Sequence, residues 1–526
     1  MLLWLCFMAR GLFYCVALPL WEGFDEPAHY AYAQYVALGR GWLVGPETRP
    51  SREVERSVEL VPMPWILRFE PPPHETYDTY FRLPLDERRR RERELIALPR
   101  ALGTQDAATF ARFESQQPPL SYWLMAPLYA MLRGNGVPER VFWLRILNLL
   151  LASTAVPAAR VAARRVFGKQ GVAVATAALV ALMPEVLFDA ARVANSGLTI
   201  ALYSALTVLC ISIVEGKPRA TLWAGLVLGL GLLTKAFFLT ALPALGAVVA
   251  WAVWRRRTSL GPAIAGFGLA AIVSGWWYVR NIGITGSLSG NVQDAALRHM
   301  PITERLGHAA DVSWLTALDS IFFTHIWFGG WSFLQLRAWI YHVMAIVAGL
   351  ALVGLAVAWA KRMPERRHLA ALAAVYFFFC AGLAYHVLMT LLANGISSSA
   401  GWYLCAVVVP EAMLVAAGLR ALAPRGIRKW AVGGLAGAFA LIDLYGMLFV
   451  ALPYYAGVII HRPDGSLQAF HWAALAATGP GEMLRRIAVN KPEWMGPGVV
   501  AATGCVYVAA TLALGAIGVI ARRGEE

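Results

Sequence analysis

Charge is scarce in this sequence. Only 15% of its 526 residues are Asp, Glu, Lys or Arg, against 58% hydrophobic residues and a mean hydropathy of +0.55. A soluble domain carries about a quarter charged residues, so a soluble globular enzyme is excluded. Cysteine is scarcer still. Each of the six (Cys6, Cys15, Cys210, Cys380, Cys405, Cys505) sits inside or at the edge of an apolar run, where a thiol behaves as a small hydrophobe, and no disulfide or zinc framework is implied. The sequence has no internal repeat and no low-complexity tail. It also lacks a soluble basic domain able to hold a duplex, so the net charge of +14 does not point to nucleic acid. The N-terminus has neither a basic n-region nor a small-x-small cleavage site, so residues 2–20 are expected to remain as a first span.

What the chain has instead is apolar runs. A bilayer-crossing helix needs roughly 20 apolar residues, and such windows fall near 2–20, 118–132, 143–163, 170–187, 198–215, 221–234, 236–254, 262–279, 339–360, 369–393, 402–421, 430–452 and 497–521. Arg10 lies inside the first; a long arginine there is expected to snorkel to the interface. The basic clusters Arg255 to Arg257, Lys361 to His368, Arg425 to Lys429 and Arg522 to Arg523 abut apolar runs, as the positive-inside rule expects of cytoplasmic loops. Counting back from a cytoplasmic C-terminus puts 186–197, 280–338, 394–401 and 453–496 on the outer side. Counting forward from a cytoplasmic N-terminus puts 21–117 there too. The parity then fails, so one window between 118 and 187 is not a span. There both 133–140 and 160–169 look cytoplasmic by charge.

The loop 21–117 is the largest polar stretch. Pro27 to Leu38 reads as a helix ended by Gly39, followed by a proline-rich crossing (Pro62, Pro64, Pro71 to Pro73), and Asp86 to Glu94 as a solvated helix of alternating charge. In the second extended loop, 281–338, the aromatic run Phe322 to Trp331 is expected to lie along the membrane surface.

Chemistry is most legible in Trp21 to Tyr32, WEGFDEPAHYAY, where two adjacent acids follow the first apolar run. Proline favours the first helical turn, which predicts Glu26 as the N-cap with Asp25 just before it. Capping accounts for one carboxylate and leaves the other. A transfer to a hydroxyl needs a carboxylate on a rigid, partly desolvated element to accept the proton, and Asp25 suits that role. Glu26 is a candidate to orient an acceptor or to hold a divalent cation, the one cofactor candidate, with His29 a turn away on the same face. A second string, Glu114 to Tyr122, ESQQPPLSY, reads either as a loop-to-helix junction or as polar residues, Glu114 and Gln117, facing the same cavity as Asp25.

In order, GFDEPAHYAYAQYVALGR, QQPPLSYWL, GLLTKAFF, WWYVRN and SxxxGWYL resemble the bacterial polyprenyl-phosphate-sugar-dependent GT-C transferases. That class includes relatives of protein mannosyltransferases and aminoarabinose transferases and proteins with a similar DEPAH-type loop. The resemblance runs from about residue 20 to 420. It implies an all-α polytopic membrane protein, a GT-C-like bundle of about 12–14 transmembrane helices forming one domain over 1–526, with juxtamembrane helices in the first outer loop. It implies an inverting transfer of a sugar from a polyprenyl-phosphate carrier to a lipid, glycan or protein acceptor. The setting would be the bacterial cytoplasmic membrane, with the site facing the periplasm or exterior and Asp25 and Glu26 as its acidic motif. A leaving lipid phosphate needs positive charge in a low-dielectric site, and Lys235, Arg280, Arg192 and, less directly, Arg337 are the candidates. Two strings depart from the pattern: RVANSGLT, whose nearest acid is Asp189, and AGWYL at Ala400 to Leu404, which lacks an arginine. Two other readings stay open, a lipid-linked glycan transporter or flippase and a non-catalytic envelope assembly protein. Ionisable residues pairing near the bilayer centre, with Arg10, Glu185 and Asp189 the hints, would mark the transporter.

Overall fold

The computed structural model describes residues 1–45, 48–68, 74–98, 114–428 and 430–520. Pro71 to Pro73, Lys429 and Arg522 to Arg523 lie outside these. Among the described residues the chain is helical, with no strand and only two isolated bridges, Met63 to Thr76 and His461 to Leu467.

Among the described residues nine helices are long and apolar enough to cross a membrane, from Val137–Phe167 to Pro497–Ile520. A tenth crossing is broken: Gln170–Leu182 and Pro184–Ala190 meet at 56°. The break falls where Pro184 offers no N–H to continue the ladder. Leu2–Ala17 and Ala220–Leu232 are shorter apolar helices, so the count of full-length crossings among the described residues is nine, or ten with the broken pair, against the 12–14 expected. The window that spoiled the parity is 118–132. Its helix, Leu120–Met131, has 12 residues and an internal Pro127. At about 1.5 Å per residue it is too short for a core of roughly 30 Å. The charge near 133–140 misleads as a side marker. Arg140 is fully buried and paired at 2.5 Å with Glu53 of the loop 21–117, so it sits on the face that carries this loop.

Arg10 does not snorkel. It is buried among the helices, with Nη2 at 2.7 Å from Asp443, Nε donating to Thr511 at 3.1 Å and Nη1 to the Ala181 carbonyl. Tyr14 and Tyr507 donate to the same Asp443 carboxylate at 2.5 and 2.8 Å. A charge enclosed in apolar surroundings persists when paired and hydrogen-bonded, and the cluster cross-links four helices.

The five segments expected on one side do meet on one face. Glu22 accepts from the Ser332 amide and hydroxyl, each at 3.0 Å, and from Tyr455 at 3.4 Å. The His461 amide donates to Asp78 at 2.6 Å, Gly401 donates to Thr324 at 2.6 Å, and Arg192 donates to the Phe24 carbonyl at 3.2 Å. Within the first loop the expected helix runs Glu26–Ala37, with Gly39 left-handed after it. Leu85–Ala97 carries its charges as Glu87 and Glu94 pairs with Arg90 and Arg91 on a solvated face. The aromatic run Phe322 to Trp331 does not lie on the surface. Trp327 and Phe328 are fully buried, because the Phe328 amide donates to the enclosed Glu185 at 2.8 Å and Glu22 pulls Ser332 inward.

Candidate functional site

The acidic string folds into a tight turn that separates its three carboxylates. Asp25 is the N-cap of the helix Glu26–Ala37, one residue earlier than expected, with a left-handed φ of 53°. Its carbonyl accepts from Ala28 and His29, both at 3.0 Å. Gly23 is required two residues before, since a Cβ there would come within 2.6 Å of Arg192 Cβ. Glu22 points into the loop contacts described above, and Glu26 is fully buried. Asp25 alone of the three is exposed.

Glu26, expected as a catalytic or metal-holding group, has both carboxylate oxygens engaged within the protein. Its two oxygens accept from Arg145 Nε and Nη2 at 2.7 and 2.6 Å, and Oε1 also accepts the Val193 amide at 2.9 Å. Arg145 further donates to the Leu18 and Pro19 carbonyls at 2.8 and 2.7 Å. One arginine thus fixes both ends of the turn that presents Asp25.

Around Asp25 the chain gathers charge from distant segments. Lys235 interacts electrostatically with Asp25, Glu114, Asp189 and Arg192. Its ammonium lies 4.5 Å from the Phe237 ring centroid and 5.6 Å from that of Tyr403. Arg192 pairs with Asp189 three residues before it, so the Arg192 charge is largely compensated. A cleft of about 210 Å³ opens here, lined by Asp189, Lys235, Trp402 and Tyr403 among others. Where the arginine is missing from AGWYL, Trp402 stacks on Phe24 at 3.8 Å. Gly401 beneath it cannot carry a side chain, as a Cβ would meet the Ile321 carbonyl at 1.8 Å.

Glu114 and Gln117 reach the same place. Burial first, and then Asp25 close by, push the Glu114 carboxyl up to about 7, while Gln117 accepts from Asn195 at 2.9 Å. His29 lies behind the site rather than in it. Its ring is buried, with Nδ1 2.7 Å from the Tyr122 hydroxyl. Burial, with Lys235 and Arg192 nearby, holds it well below the usual histidine range. Two candidates are not gathered. Arg280 donates to the Val44 carbonyl at 3.1 Å and lies over Trp277, while Arg337 is exposed and its side chain makes no hydrogen bond or ion pair among the described residues. No group of three or more His, Cys, Asp or Glu side chains is assembled for a metal among the described residues. Arg145 and Trp402 at the site, and Glu22 behind it, are not among the expected site residues, while the sequence marks Asp189 as the nearest acid to RVANSGLT. The signal for Glu22 was its place in the same acidic string; Arg145, inside an apolar run, offered none beyond its charge.

Among the described residues, helices enough for nine or ten crossings, with no strand beside them, define an all-α, multi-pass membrane protein. Residues 8–410 match the family described as "Predicted membrane protein (DUF2142)", and the chain belongs to that family. No curated protein matches it. Among solved structures it is similar to ArnT from Cupriavidus metallidurans in the apo state and bound to undecaprenyl phosphate. Each has 16% identity and a TM-score of 0.40 over 93% of this chain, and 75% and 76% of those chains.

Proposed function

We propose that the chain is an inverting glycosyltransferase of the outer face of the bacterial cytoplasmic membrane, working as one unit over residues 1–526 and taking its sugar from a polyprenyl-phosphate carrier. The observation that carries this is the division of the acidic string: Glu22 and Glu26 are buried and bonded, while Asp25 stays exposed within electrostatic reach of Lys235. The acceptor hydroxyl oxygen attacks the anomeric carbon as Asp25 takes its proton. The bond from that carbon to the phosphate oxygen breaks, the electron pair leaves with the polyprenyl phosphate, and Lys235 offsets the charge. Arg192, paired with Asp189, donates to the Phe24 carbonyl and so ties the turn before Asp25 to this cluster, and the motif order resembling GT-C transferases supports the same assignment.

A second reading, transport of a lipid-linked glycan, is favoured by the Arg10 to Asp443 pair inside the bundle. Both side chains have zero exposure, and each side-chain nitrogen of Arg10 and each oxygen of Asp443 has a hydrogen-bond partner, the state of a cross-brace rather than of a passing-substrate site. Proteoliposomes given a panel of radiolabelled polyprenyl-phosphate sugars and envelope acceptor extracts separate the two. Label moving to an acceptor supports transfer; labelled lipid changing leaflet with no new product supports transport.

A further inference from the structure

A second hollow lies on the loop face and shares no lining residue with the cleft at Asp189 and Lys235. It consists of two cavities of about 320 and 220 Å³ that abut at Leu20 and Asn490. Their charged lining residues are all cationic: Arg486 in the first, Arg145 and Lys491 in the second, with no Asp or Glu in either lining. Arg145 is committed to Glu26. Arg486 donates to the Ala456 carbonyl at 3.0 Å and pairs at 3.2 Å with Glu482, a partly exposed partner in a solvent-screened contact. Lys491 donates only to the Leu18 carbonyl and has no carboxylate partner among the described residues. A half-buried ammonium without a counter-charge is costly, and an anion would relieve it. Burial, and Arg145 beside it, hold Lys491 well below the usual lysine range, with Glu26 and Cys15 its other near neighbours, and an arriving anion would favour its charged form.

The rim indicates where the anion comes from. Trp494 packs edge-on against Phe142 at 5.3 Å, and Trp494 and Trp143 are 48% and 38% exposed. Exposed tryptophans at the end of a spanning helix belong at headgroup level. We propose that the paired cavities form a binding site for an anionic, phosphate-bearing ligand held by Lys491 and Arg486, separate from the cleft at Asp189 and Lys235. Because Arg145 lines one cavity and grips Glu26, occupancy there bears on the turn that presents Asp25. The assignment of the anion site itself does not depend on the transferase reading.

The test uses the full-length protein in phosphatidylcholine nanodiscs, titrated with short-chain phosphatidylglycerol, short-chain phosphatidylcholine or inorganic phosphate while tryptophan emission is recorded. Saturable phosphatidylglycerol binding is expected, weakened about tenfold in each of Lys491→Gln and Arg486→Gln, as the loss of one charge-assisted contact predicts. Lys491→Arg, which keeps the charge, and Asp25→Asn, which leaves this site intact, should bind as wild type. Displacement by inorganic phosphate at equal concentration assigns the site to free phosphate; no displacement assigns it to a lipid headgroup. If Lys491→Gln melts early without ligand, Lys491→Arg and Arg486→Gln decide the matter. Phosphatidylglycerol binding no tighter than phosphatidylcholine with no phosphate binding, or equal binding by wild type and both charge-removing variants, overturns the proposal.

Discussion

Glu26 meets Arg145 through two hydrogen bonds, 2.7 and 2.6 Å, while the neighbouring Asp25 keeps its carboxylate at the surface. Adjacent acids have opposite fates because the chain turns left-handed at Asp25 and sends the next side chain into the bundle. The buried pair is then the support on which the exposed acid stands. Its removal should be costly, since truncating one member leaves the other charge buried without a partner.

Arg145→Gln should destabilise the protein by about 3–5 kcal/mol, and Arg145→Lys by less, because it keeps the charge and loses a prong. The apparent melting temperature of the purified protein in detergent reads this directly. An unshifted Arg145→Gln variant would mean that the pair does not hold the turn.

Glu22 gives the stability a pH dependence. Burial pushes its carboxyl up to about 8, against 4.5 for the ordinary group, with the Ser332 bonds opposing the shift. Between those values the folded protein binds more protons than the unfolded chain, so this contribution is full below about pH 4.5 and is lost as pH rises through 8. Each pH unit in that window is worth at most about 1.4 kcal/mol. Melting curves from pH 5 to 8 should fall in the wild type and flatten in Glu22→Gln, which imitates the protonated acid. An equally steep fall in the variant would assign the dependence elsewhere.

The intramembrane pair offers a separate test. Asp443→Leu leaves Arg10 buried and unpaired and should cost about 3–5 kcal/mol, whereas Arg10→Met with Asp443→Leu should recover most of it. The double variant should retain transfer activity if the pair is a brace. Recovered stability with abolished activity would move the pair into the functional path.

Lys235→Ala should lower turnover by about 10²–10³-fold, as for the loss of one group that stabilises developing charge. Lys235→Arg should recover part of that. Steady-state transfer assays at saturating donor distinguish this from a binding defect, which would raise KM and leave kcat in place.

The membrane architecture was legible because apolar windows of spanning length are a strong signal, and the acidic string was legible because Asp25 and Glu26 stand out in it. Their separate duties were not. Arg145 lies 119 residues from Glu26 inside an apolar run, and Arg140 and Arg10 likewise read as side markers or snorkelling groups, since a sequence does not show which buried acid answers them. The cap was misplaced by one residue for a plain reason: proline's missing N–H is harmless at either of the first two helical positions, and it occupies the second. Trp402 was read as the absence of an arginine, and only the fold shows its ring filling the place against Phe24.

The most direct test of the account is sugar transfer by Asp25→Asn in proteoliposomes. The substitution keeps the shape of an exposed residue and leaves Glu26 and Arg145 in place, so the variant should insert and melt as wild type. Its transfer rate should nevertheless fall by about 10²–10⁴-fold, the usual worth of a general base. A folded Asp25→Asn protein that transfers sugar at the wild-type rate would contradict the central claim.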